Sequence, residues 1–218
     1  ITNAQTVNSN ESAIQSEINT AVNDLKVALS NYLSNNITIS NPFNITNYIA
    51  NPSFETWQTN QTASIPAWTN TNSMQTQNNV PNQTWIKNGN MYAERWVSSG
   101  TNLPAASLTQ TVTGLPNGRY RMTLSAHAIQ QSNASLLTTG AFAFANEAST
   151  AINVGGNYSV ENIVVTNGTM NLGFRLVAPI TCNWTGFDNF QLFYHGPILD
   201  PVISAPQTSI SFTTTSNT

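Results

Sequence analysis

The chain has 218 residues, of which 7% are charged, and its formal net charge is -3; an ordinary soluble domain is about 25% charged. Six Lys+Arg and a pI near 5.1 exclude a nucleic-acid binder that works through a clustered basic face, and equally a polybasic membrane-surface protein. Neutral side chains fill the gap, since Asn, Thr, Ser and Gln make up about 43% of the chain. The 39% of hydrophobic residues, with Trp 5, Tyr 6 and Phe 9, still supply a real core. The length fits one principal domain and something smaller. No apolar run approaches the ~18 residues of a membrane span. A start at Ile1 without a hydrophobic leader is the form of a mature or trimmed chain. Cys182 stands alone and reads as a small buried hydrophobe. The Asn-x-Ser/Thr triplets, such as Asn183-Trp184-Thr185, follow from the Asn, Ser and Thr content and say little about glycosylation.

In chain order, residues 1–47 form an N-terminal helical segment. Ile14, Ile18, Val22, Leu25, Leu29, Tyr32 and Leu33 recur at spacings of three and four and make one amphipathic helix. Ser12 with Gln15 resembles a capping box, and Asn35-Asn36 before Pro42 marks the end. One helix cannot bury its own stripe, so it needs the following domain, a partner chain or another helix. From residue 48 to 195 the period changes to two, with turn residues between runs. Arg119–His127 turns Tyr120, Met122, Leu124 and Ala126 inward, after a turn at Pro116-Asn117-Gly118. Thr169–Val177 turns Met170, Leu172, Phe174 and Leu176 inward; Phe187–Tyr194 does so with Phe190, Leu192 and Tyr194. Shorter strands fall at Ala105–Val112, Gly140–Ala145 and Tyr158–Val165, while residues 60–85 read as a long irregular stretch. Seven or eight strands with no helix between them predict an antiparallel β-sandwich. Residues 196–218 read as a Pro-rich linker and the first strand of a further module.

Four fragments in order carry a resemblance. They are Asn51-Pro52-Ser53-Phe54-Glu55 with Trp68, then Asn90–Trp96, then Gln110 to Tyr120, then Asn183–Phe190. Together they resemble the galactose-binding-like, carbohydrate-binding-module-like sandwiches of secreted glycan-utilisation proteins of gut Bacteroidetes. The resemblance implies a jelly-roll sandwich, non-catalytic, with one structural calcium held at the positions of Glu55 and Asp188, and Asn51 beside them. It also implies a glycan or polysaccharide partner, neighbouring modules in the same polypeptide, and a secreted or bacterial cell-surface location. Read from the residues alone, Glu55 and Asp188 are either hard-oxygen ligands or acceptors for backbone N–H groups at strand ends.

The candidate sugar contacts are aromatic and polar side chains, because a sugar ring offers an apolar C–H face and a rim of hydroxyls. Trp85 and Trp184, with Asn183, sit among loop-like polar residues, and Trp184, near a strand start, either meets a ligand or covers the end of the sandwich. Tyr92, Glu94 and Trp96 share one side of an extended segment, which makes them either a platform or part of the core. Arg121, His127 and Arg175 point outward from their strands and form either a polar groove across one sheet or a solvated face. Catalysis is not expected: no nucleophile elbow, zinc-binding His-Glu-x-x-His, phosphate loop or Cys/His metal spacing is present. The alternative to sugar binding is a structural or adhesive spacer in a surface protein or fibre, assembled through the Ile14–Leu33 stripe.

Overall fold

Alternating apolar and polar residues give each strand one wet and one dry side, and two such sheets close face to face. The computed structural model describes residues 2–10, 12–56, 65–72, 74–78 and 88–198. Eleven strands occur among them: β1 (Phe43–Asn44), β2 (Thr69–Thr71), β3 (Gln75–Asn78), β4 (Met91–Trp96), β5 (Ala106–Thr113), β6 (Gly118–Ile129), β7 (Ala141–Ala145), β8 (Ala148–Ile152), β9 (Gly156–Val165), β10 (Thr169–Leu176) and β11 (Trp184–Tyr194). One sheet runs β3-β4-β11-β6-β9, with β1 also pairing β11; the other runs β2-β5-β10-β7-β8. Every pairing is antiparallel. The predicted sandwich is therefore the fold.

The inward residues predicted for β6, β10 and β11 are all buried. The centre of the core is aromatic. Phe174 of β10 stacks on Phe187 of β11 with centroids 4.2 Å apart, which joins the two sheets. Phe54 meets Phe187 edge-on at 5.9 Å and lies 5.3 Å from Trp68, and Trp68 lies 5.1 Å from Phe190. Phe54 reaches this place from a turn in which its own φ is +57 and that of Asn51 is +50. A left-handed backbone at a bulky residue costs free energy, and it persists because surrounding contacts hold it. Here Trp68 Nε1 donates to the Asn51 carbonyl at 3.1 Å, and the Phe190 N–H donates to the Pro52 carbonyl at 3.0 Å. Buried Gln110 ties the same turn down, accepting from Ala50 N–H and donating to the carbonyls of Ala50 and Ala67.

Several expectations are corrected. The stretch 60–85 contains β2 and β3, whose Thr, Asn and Gln residues carry no alternating apolar signal because both strands are sheet edges. Residues 57–64, 79–87 and 199–218 lie outside the described residues, and with them Trp85 and the strand expected after the linker. Sheet pairing starts at β1, ahead of residue 48. Two helices precede the sandwich rather than one, α1 (Thr2–Asn8) and α2 (Gln15–Asn36). The cap of α2 is not Ser12 with Gln15: Glu17 reaches back to accept the Ile14 N–H at 3.2 Å. α1 packs on α2 and Ala21 is buried, yet Ile14, Ile18, Val22, Leu25 and Tyr32 remain exposed. No described helix is long and apolar enough to cross a membrane.

Because Phe54 contacts Trp68, Phe187 and Phe190 at once, Phe54→Ala is expected to cost about 3–5 kcal/mol. The check is a lower urea midpoint at unchanged slope; a shift within error would show that the turn does not anchor the core.

Candidate functional site

Strand register places the outward side chains of the six-stranded sheet in rows. At one end Trp184 of β11 lies opposite Trp96 of β4 and Ile129 of β6. In the next outward row Gly186 separates Glu94 from His127. Further along, Asp188 pairs with Ser125 and Gln191 with Thr123, and Arg121 faces Phe193 at the far end. A groove of about 430 Å³ opens over this second half, between β9, β6 and β11. Thr123, Asn157, Ser159, Asn189 and Gln191 line it with amides and hydroxyls, beside the charged side chains of Arg121 and Glu161.

Glu94 organises the first half. Its carboxylate is 4% exposed, a costly position for a charge without partners. Trp184 Nε1 donates to it at 2.9 Å, Gln75 Nε2 at 2.8 Å and the Tyr92 hydroxyl at 3.2 Å. These donors bury Tyr92 and Trp184 against each other and Ile129. Tyr92 and Glu94 are thus foundation, not platform. Trp96, two residues on, is 55% exposed and stands as the accessible aromatic surface of this end. His127 meets Trp184 edge-on at 5.7 Å, and burial lowers its pKa, so at neutral pH it is an uncharged hydrogen-bonding ring.

The other predicted residues divide. Trp184 is buried at the start of β11 rather than standing in a loop. Asn183 is fully buried: its Nδ2 donates to the Val97 carbonyl and to Gln131 Oε1, both at 2.9 Å, and its Oδ1 accepts the Gln131 N–H. It fixes two loops and presents nothing to solvent. Arg175 belongs to β10, so it faces out from the opposite sheet, where its guanidinium lies 4.7 Å over Phe144. Arg121, His127 and Arg175 therefore form no common groove. Alternation had the signal for Thr123, Gln191 and Phe193, the outward partners of buried neighbours. Gly186 and Asn157 needed the register.

Glu55 follows the Phe54 turn and is not in a strand. Its carboxylate accepts the N–H groups of Asn90 and Met91, while Asp188 accepts those of Asn88 and Asn189. Both acids thus grip the one segment that leads into β4. Gly89 at its centre has φ +76, and a Cβ there would lie 2.4 Å from Glu55 Oε1. Asn51 does not join them: its Oδ1 accepts the Thr56 N–H and its Nδ2 donates to the Pro66 carbonyl. Among the described residues no three His, Cys, Asp or Glu side chains gather as a metal site. Cys182 is buried in the core, which pushes its thiol up to about 11 and leaves it inert.

Neither a protein-family profile nor a curated protein sequence matches this chain. Solved structures match it in shape. A cyclase from Fischerella sp. TAU gives a TM-score of 0.53 over 72% of this chain and 100% of its own, at 15% identity. The apo form of a Fischerella sp. cyclase gives 0.51 over 73% and 100%, at 14% identity. TmCBM61 in complex with beta-1,4-galactotriose gives 0.49 over 67% and 97%, at 19% identity. At such identities the likeness is one of fold, and a fold of this kind does not decide between binding and catalysis.

Glu94→Gln replaces one acceptor oxygen with a donor amid three donors, and is expected to cost roughly 2–3 kcal/mol. Tryptophan emission should also shift to longer wavelength as Trp184 loses its partner; an unchanged midpoint and spectrum would remove the network from the account.

Proposed function

We propose that this chain is a non-catalytic carbohydrate-binding module of a secreted or surface-attached bacterial glycan-utilisation protein. The observation that carries the reading is the outward face of the six-stranded sheet. There the exposed Trp96, seated on the Glu94 network, shares one face with a groove walled by amides and hydroxyls. Along β11 this face extends roughly 20 Å at ~3.4 Å per residue, the scale of an oligosaccharide rather than one ring. Trp96 offers a surface for the C–H face of a sugar, and Thr123, Asn157 and Gln191 offer partners for hydroxyls. A glycosidase requires two carboxylates flanking one bond, and what favours binding over that chemistry is where four of the described acids stand. Glu94 is engaged by three donors, and Glu147 sits in the β7–β8 turn of the other sheet. Glu55 and Asp188 hold backbone. A second reading, a spacer that assembles through its helix, is favoured by the exposed stripe of α2.

Affinity electrophoresis through gels of plant, host and microbial polysaccharides tests the first reading. At least one polymer should retard the chain, and Trp96→Ala should weaken retardation about tenfold or more, consistent with ~1–3 kcal/mol for a lost stacking contact. Free migration of folded protein through every gel would leave the spacer.

Glu55 and Asp188 are also the residues that would hold the calcium ion implied by the resemblance. A carboxylate has about four lone-pair sites, so the N–H contacts leave oxygen donors over, and main-chain oxygens would complete the set. Chelation with EGTA is expected to lower the melting temperature, and Glu55→Gln to abolish the difference. Identical melting with calcium and with EGTA would assign the two acids to the N–H clamp alone.

A further inference from the structure

The far end of the sheet face departs from the neutral character of the rest. Arg121 lines the groove with its guanidinium 4.8 Å over the ring of Phe193, and its Nε is buried with no acceptor among the described residues. Stacking on the ring fixes the plane of the fork and leaves its N–H edge to bond outward. Arg119, two residues earlier on β6, is exposed on the same side and lines an adjoining crevice together with His195. His195 Nε2 is likewise buried, without a hydrogen-bond partner among the described residues. Glu161 lines the same groove as Arg121, and its Oε1 accepts the Ser159 hydroxyl proton, which occupies one of its oxygens. Two of the chain's six Lys+Arg thus stand at this end of the sheet face, Arg121 in the groove beside Glu161 and Arg119 in the crevice, in a protein whose net charge is negative.

Resting on the sugar-binding reading above, we infer that this end of the groove is a subsite for an acidic sugar substituent, a carboxylate or a sulfate, read by Arg121 with Arg119 behind it. The planar guanidinium matches two anionic oxygens through parallel N–H bonds, and its outer Nη edge is the part that a ligand in the groove would meet. The rest of the groove supplies the hydroxyl partners that any sugar needs. Since the chain as a whole is anionic, attraction to a polyanion must be local and not a property of its net charge.

The full chain, run by affinity electrophoresis at low salt, is compared on polygalacturonate, a sulfated galactan, and neutral galactan and xylan. Stronger retardation by at least one acidic polymer than by its neutral counterpart is expected, with a decrease in 0.5 M salt. Which acidic polymer retards identifies the substituent. Arg121→Gln, shown folded by its melting curve, should reduce the acidic preference, read as the ratio of retardation by the acidic polymer to that by its neutral counterpart, about tenfold; Arg119→Gln should reduce it less. Equal retardation by acidic and neutral polymers, or a preference that survives Arg121→Gln, overturns the subsite and leaves the glycan reading standing. Retardation by none overturns both.

Discussion

Everything on the outer surface depends on how the aromatic core joins the two sheets. Phe187 is in contact with Phe174 across the sandwich and with Phe54 from the turn, and Phe54 in turn brings in Trp68. Each ring buries a large apolar area, and tilted or edge-on pairs add about 0.5–1.5 kcal/mol beyond burial. That is enough to hold Phe54 in a backbone region that costs about 1–3 kcal/mol. The strained turn is therefore a consequence of the packing. In turn it places Glu55 where its carboxylate meets the segment entering β4.

β11 carries this order from inside to outside. Its inward residues Phe187, Phe190 and Leu192 belong to the core, and its outward residues Trp184, Gly186 and Gln191 form the spine of the candidate face. A bulge between Asp188 and Gln191, with Asn189 at φ +56, lets the strand serve both ends. Asp188 at the bulge accepts N–H bonds from Asn88 and from Asn189 itself, so an irregular point in the ladder keeps its polar groups satisfied.

The inner half of this architecture was legible in the sequence and the outer half less so. Alternation in β6, β10 and β11 identified the inward residues because burial selects apolar side chains at period two. It missed β2 and β3, where edge position removes that selection. It also placed Arg175 beside Arg121, since alternation tells in from out but not which sheet a strand joins. Tyr92 and Trp96 show the same gap at one strand: equal parity, one buried and one exposed, decided by the neighbours that Gln75 and Trp184 supply through Glu94. Asn183 looked like a loop amide and is instead buried, because loop composition does not show which amides are used to fasten loops.

Arg121 and Arg175 make the point about context sharpest. Both lie over a phenylalanine ring at nearly the same distance, 4.8 and 4.7 Å, and both bury an Nε without an acceptor. On the five-stranded sheet Arg175 is paired in register with Ser107 on one side and Phe142 on the other. On the six-stranded sheet the same stack borders a groove with amides opposite and a second arginine alongside. A stacked arginine is a scaffold feature on its own, worth roughly 0.5–1 kcal/mol at an exposed site. At Arg121 the groove gives a ligand room to present its oxygens at the edge of the fork. Function in this chain therefore lies less in rare residue types than in which common ones the register of one sheet brings together.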